Sequence, residues 1–349
     1  MNNVTEIPIE YKWGYNLKMS SVSVPVNSNS HPNIRPMSMF RDLSAVADLI
    51  ELCFADTMDR DGRRYVADMR RASRDNGFLN WATSMTENAS LPVTGFVWEE
   101  DKRIIGNASL IPFRDAGKRI YLIANIAVHP DHRRRGIARS LTQRAMGYGW
   151  GKRASALWLH VRDDNPGAIK LYTDLGFQGI ASRTNWIAKP DSLFPQPESD
   201  LQIVARHSRF WPQQQDWLRR LHPDTLNWYH PININSLRPG LMNRFYLLFV
   251  DMHIRQWVAV QGDRLLATLA WTHTTGRSES LIVATPPVQG DSGRSAEALA
   301  QLLIHARRTL STRANMSLEY PGGELIEAFI AAGFTERRTL LWMRAMPAT

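Results

Sequence analysis

Hydrophobic positions along this 349-residue chain switch between two periods. From residue 42 to 54, DLSAVADLIELCF sets Val46, Leu49, Ile50 and Cys53 at helical spacing on one apolar face. A strand-like MSMF precedes it. GFVWEE, KRIIGNASLIPF and RIYLIANIAVHP then read as three successive strands, the first two joined by a tight polar turn at Asp101 and Lys102. The helical period returns afterwards, with Ile137, Leu141, Ala145 and Tyr148 on one face. ALWLHVR reads as a further strand, and the helix after it carries Ala168, Leu171, Tyr172 and Leu175 as a stripe. The charged stretch from 55 to 92 breaks this rhythm; DGRRYVADMRRASRDNG inside it reads as helical, a placement suited to substrate selection.

Two aperiodic segments divide the pattern. SSVSVPVNSNSHPNIRP, rich in Ser, Asn and Pro, assigns residues 1–35 to a flexible leader. KPDSLFPQPESD, with three prolines, assigns 191–199 to a linker. Beyond it the first half recurs in weaker form: DKRIIGNASL returns as GDRLLATLAW and YTDLGF as FIAAGF. The spacing is 161 residues from Arg103 to Arg264 and 157 from Gly176 to Gly333, a nearly constant period. Trp186 and Trp342 are expected to close each half in a final strand. Two domains follow, 36–190 and 200–349, as the length also suggests at about 150 residues per domain.

Between the third strand and the helix of Ile137 lies HPDHRRRG. Gly136, lacking a Cβ, can take a positive φ and admit another molecule close to the main chain. At a helix start the unbonded N–H groups and the positive dipole end point forward, so with Arg133, Arg134 and Arg135 they make a site for phosphate. A basic turn alone is more often only a solvated surface; the succession of strand, basic glycine turn, helix, strand and helix is what favours the anion site. His129 and His132 look like a metal pair, yet no third ligand follows them, so no metal is expected.

Composition narrows the field further. The chain is 44% hydrophobic and 21% charged, as for an ordinary globular protein, and its single Cys53 excludes an internal disulfide. The formal charge is +9, but no zinc-finger spacing, helix-turn-helix or basic-aromatic motif accompanies it, so nucleic acid is not an expected partner. No apolar run of signal-peptide or spanning length occurs, and neither export nor membrane insertion is expected; the expected location is the cytoplasm.

Residues 94–188 resemble the GNAT N-acetyltransferase family. Its Arg/Gln-x-x-Gly-x-Gly/Ala signature stands as Arg133, Arg134, Arg135, Gly136, Ile137 and Ala138, and NPGAIKLYTDLGF is similar to its second hallmark. LWLHVR and that helix are most similar to the ribosomal-protein alanine acetyltransferase branch. The resemblance implies an α+β fold with a mixed, centrally splayed sheet flanked by helices, and the repeat implies two such folds in tandem. It implies acetyl-CoA as co-substrate, with the pyrophosphate on the amides from Arg134 to Arg139 and the pantetheine along Ile126, Ala127 and Val128. The Val128 amide would polarise the thioester carbonyl, an effect worth about 3 kcal/mol. Asn165, just before Pro166, is either a helix cap or a cofactor contact, or both.

The implied chemistry is direct transfer of acetyl to a primary amine, from a small molecule or a protein N-terminus, the small molecule being slightly favoured. Such an amine, with a pKa near 10.4, costs about 4 to 5 kcal/mol to hold neutral at pH 7, so a base is required. His160 stands where the ribosomal branch carries a glutamate; it is a competent base or else a packed core residue. Tyr172, seven residues after Asn165, is the implied acid for the departing thiolate, against a reading in which it only packs. In the second half Phe329 falls at the Tyr172 position and the basic glycine turn is missing, so that copy is expected to keep the fold without turnover. A rival reading is a catalytically silent sensor of acyl-CoA.

Overall fold

The computed structural model describes residues 31–58, 60–74, 94–229, 232–240, 254–272, 278–287, 292–310 and 315–347. The first half of the chain runs β1 (Ile34–Pro36), α1 (Met39–Phe54), α2 (Arg60–Arg74), β2 (Thr94–Glu100), β3 (Arg103–Asp115), β4 (Lys118–Val128), α3 (Ile137–Gly151), β5 (Ala156–Arg162), α4 (Pro166–Asp174) and β6 (Gln178–Ala188). Among the described residues the second half runs in a similar order: β7 (Gln202–Ala205), α5 (Trp211–Leu221), β8 (Ile254–Gln261), β9 (Arg264–Thr272), β10 (Ser278–Ala284), α6 (Ser292–Thr309), β11 (Asn315–Pro321), α7 (Ile326–Ala331) and β12 (Thr335–Ala345). Each half is therefore an α+β fold with a mixed sheet. The local match between repeats is close: Phe177 N–H donates to Tyr172 C=O at 3.0 Å, and Phe334 N–H to Phe329 C=O at 2.9 Å.

These elements form two compact units. Among the described residues, the N-terminal unit holds those up to Ile180 together with Trp342 onward, and the C-terminal unit holds Ala181–Leu341. The N-terminal sheet is ordered β1-β2-β3-β4-β5, with the end of β12 beside β5. The C-terminal sheet is ordered β6-β11-β10-β9-β8-β7, with β6 antiparallel to β11 from Arg183↔Pro321 to Ala188↔Met316. The division differs from a linear one near 190. Trp186 stacks on Phe329 of the C-terminal unit, with centroids 4.6 Å apart and planes at 9°. Trp342 lies 5.0 Å from His160 of the N-terminal unit. Each closing tryptophan thus completes the unit built from the other half of the sequence, not its own.

Three local expectations change. MSMF is not a strand, because Asp42 accepts the Ser38 N–H at 2.7 Å and so starts α1 at Met39. The expected leader is partly structured, since Ile34–Pro36 pair with Phe96–Trp98 of β2; residues 1–30 lie outside the described residues. Residues 191–199 carry no helix or strand, yet they are fastened to α6: Asp191 N–H donates to Arg307 C=O at 2.9 Å and Gln301 to Pro197 C=O at 3.1 Å. The helical reading between 55 and 92 meets α2; residues 75–93 lie outside the described residues. No described helix is long and apolar enough to cross a membrane.

Candidate active site

β4 and β5 form the parallel centre of the N-terminal unit, and their register covers Ile120↔Ala156, Tyr121↔Leu157 and Leu122↔Trp158. From Ala124 to Ile126 the β4 side chains are only half-buried, whereas Ile120 to Ile123 are buried. The two strands part after Leu122, which gives the central splay that the resemblance implied.

A bulge on the parted arm sets the direction of its amides. Ser109 pairs with Ala124 and Asn107 with Ala127, so Asn125 and Ile126 together face Ala108. Asn125 takes the extra turn at φ +53°, a conformation Asn tolerates better than most side chains. The Asn107 side-chain amide donates to Asn125 C=O at 2.9 Å and to Ser109 Oγ at 3.1 Å. Beyond the bulge His129 N–H donates to Ile105 C=O at 2.8 Å, so His129 and Ile105 exchange bonds and the next pair, Val128 and Gly106, does not. The Val128 N–H therefore points away from β3, toward the side on which β5 has parted. Without the one-residue shift it would be spent on β3.

The Val128 carbonyl faces the same side and accepts from Cys53 Sγ of α1 at 3.2 Å and Arg133 Nε at 3.3 Å. Burial pushes the Cys53 thiol up, against the pull of Arg133. The glycine turn is thereby tied to the strand it follows. Gly106, opposite Val128, brings α3 close: a Cβ there would meet Ile137 Cγ2 and Leu141 Cδ1 at 2.9 Å.

Gly136 caps α3 at φ +79°, in the left-handed region, and Arg134 lies at φ +64°. The first α3 bond runs from Ser140 N–H to Gly136 C=O at 3.0 Å. The amides of Ile137, Ala138 and Arg139 thus have no acceptor within the helix, and they share its positive end. The arginine side chains are dispersed more than the sequence suggests. Arg133 holds the Val128 carbonyl, Arg135 pairs with Glu100 at 3.0 Å and contacts His132 Nδ1 at 2.7 Å, and Arg139 pairs with Asp174 at 3.0 Å. Arg134 is exposed. Main chain, more than guanidinium, is what the turn presents forward.

Asn165 caps α4, its Oδ1 accepting the Ala168 N–H at 3.1 Å. Tyr172 is 7% exposed on that helix, and burial holds its phenol well above the ordinary value, so it stays protonated through the neutral range. His160, half-buried on β5, packs against Trp342. Among the described residues no group of three or more His, Cys, Asp or Glu is arranged to hold a metal; His132 ends a one-turn helix at Pro130–His132, which His129 caps.

Sequence reasoning passed over Asn107, Asn125 and Tyr65, whose hydroxyl accepts from Asn125 Nδ2 at 2.8 Å. For the two asparagines a signal was available: asparagine is depleted in strands, and Asn107 and Asn125 each interrupt a strand-like run.

Residues 54–177 match the Acetyltransferase (GNAT) family. The [ribosomal protein bS18]-alanine N-acetyltransferase of Escherichia coli K12 is 39% identical over 67 residues, covering 19% of this chain and 45% of that protein. The chain thus spans about half the length of that curated relative. The chloroplastic GCN5-related N-acetyltransferase 4 of Arabidopsis thaliana is 41% identical over 71 residues, covering 20% of this chain and 24% of that one. In fold, a GCN5-related N-acetyltransferase from Sphaerobacter thermophilus superposes with a TM-score of 0.52 at 13% identity, over 92% of this chain and 98% of that one. The parted strands, the β4 bulge and the glycine-led α3 all lie inside residues 54–177, the span that matches the acetyltransferase (GNAT) family.

Proposed function

We propose that the N-terminal unit transfers acetyl from acetyl-CoA directly to a primary amine, and that the C-terminal unit contributes fold without turnover. The observation that carries the reading is the Val128 N–H, turned by the bulge into the opening between β4 and β5. A thioester carbonyl laid along Ile126, Ala127 and Val128 would meet that donor, and a pyrophosphate in front of Gly136 would meet the amides from Arg134 to Arg139. The amine nitrogen attacks the carbonyl carbon and loses a proton to a base, the role given to His160. The C–S bond breaks, and the sulfur takes the Tyr172 proton. A buried, protonated phenol suits that last step. Asn165 supports the site by fixing the start of the helix that carries Tyr172. The acceptor is proposed to be a small-molecule amine, since the 67-residue likeness to the bS18 enzyme is too short to carry over a protein acceptor.

Two measurements test this. Calorimetry with acetyl-CoA should register binding, and thiol release over a panel of small amines and an alanine-led peptide should register transfer. Binding without release from any amine would favour the sensor reading; absence of binding would remove both.

A further inference from the structure

The bulge network leads away from the opening as well as into it. Asn107, fully buried, uses its amide nitrogen on Ser109 and on the Asn125 carbonyl, which holds the Asn125 backbone at positive φ. The Asn125 side chain in turn donates to the Tyr65 hydroxyl at 2.8 Å. That bond occupies a lone pair on the phenol oxygen and leaves its proton to be given elsewhere. Among the described residues no acceptor for the proton is found, and the Asn107 Oδ1, also buried, takes no bond. The Tyr65 ring is anchored on the core shared by α1, α2 and β2, formed by Leu43, Val46, Val66, Met69 and Val97. A chain of two carboxamides thus fixes a phenol whose proton is left to donate. Asn125 stands three residues before Val128 on the parted arm, a span of about 10 Å along a strand. A thioester held at Val128, the amine attacking it and an oxygen beside that amine would together reach about that far.

We propose that Tyr65 contacts the acceptor: its O–H, set in place by Asn125 and through it by Asn107, donates to an oxygen next to the reacting amine, such as the carbonyl of an α-amino amide. This rests on the acetyl-transfer reading. Burial also keeps the phenol protonated well past its ordinary range, so the donor is present throughout neutral pH.

The test pairs alaninamide with sec-butylamine, similar in shape, of which only the first has a carbonyl beside the amine. Wild type should favour alaninamide by about tenfold or more in kcat/KM referred to the neutral amine, which removes the advantage an α-amino group of pKa near 8 has over an alkylamine near 10.4. Tyr65→Phe should bring the two amines to near parity on that same neutral-amine basis, through the KM for alaninamide, with acetyl-CoA affinity by calorimetry unchanged. Asn125→Gly, which keeps the positive φ and removes the side chain, should reduce the preference part of the way. Release of thiol with both amines at an unaltered ratio in Tyr65→Phe overturns the role of Tyr65 alone. Release with neither amine from wild type overturns it together with the transfer reading.

Discussion

Among the described residues both units part their central parallel strands, β4 from β5 beyond Leu122 and β10 from β11 beyond Ser280. What faces the two openings differs. In the N-terminal unit a bulge turns the Val128 N–H outward, whereas the β10–β9 register runs unbroken from Ser280↔Thr272 to Ala284↔Thr268. The partner of the bulge, Asn107, corresponds at the 161-residue spacing to Thr268. At the end of β10, Thr285 Oγ1 and Tyr320 O–H bond each other at 2.7 Å, and Arg220 donates to the Thr285 and Pro286 carbonyls at 2.8 and 3.1 Å. Phe329, fully buried against Trp186, stands in for Tyr172. A fold can keep its opening by strand pairing alone; its chemistry needs polar groups there that the protein has not already spent on itself.

The largest expected effect tests which unit each tryptophan serves. Trp342→Ala and Trp186→Ala should each cost about 3–5 kcal/mol. Hydrogen exchange should place the first loss at β5 and the second around α7, and the reverse assignment would refute the exchange of closing strands. Next comes the hydroxyl. Tyr172→Phe should lower kcat about 100-fold, or about 2.7 kcal/mol. Phe329→Tyr should add no turnover and should destabilise by about 1–3 kcal/mol, because the new hydroxyl enters a fully buried site.

A smaller contrast concerns the helix starts. Gly136→Ala places a Cβ at φ +79° and should cost about 1–2 kcal/mol, seen as weaker acetyl-CoA binding by calorimetry. Gly293→Ala, in ordinary helical backbone of α6 with open space for a Cβ, should instead gain about 0.5–1 kcal/mol in thermal unfolding without altering that binding. The smallest effect is one of pH. Burial and the charge of Arg308 hold His305 in the C-terminal unit below the ordinary histidine value. A folded-state value lowered in this way contributes stability above the unfolded value near 6.5, lost as pH falls through the folded one. His305→Gln should flatten that acid limb in the C-terminal unit and leave the N-terminal unit as it was; an unaltered limb would remove the assignment.

Much of this was legible in the residues. The face of Ile137, Leu141, Ala145 and Tyr148 is the buried face of α3, and ALWLHVR is β5 from end to end. Gly136 takes the positive φ its place before a helix suggested. The bulge was harder to see, since Asn107 and Asn125 lie 18 residues apart and meet only once β3 and β4 pair. The dispersal of Arg133, Arg135 and Arg139 was also hidden, because their partners Val128, Glu100 and Asp174 come from three different elements.

By itself the sequence determined α1, α3, α4, the strands from β2 to β5, the repeat and the glycine turn, because each is written in side-chain periods and backbone preferences acting over a few residues. Only the tertiary structure decided which strand closes which unit and where the Val128 amide points. Strand partners are chosen across more than a hundred residues by whichever apolar faces and open edges meet, and a one-residue shift in register reverses every N–H beyond it.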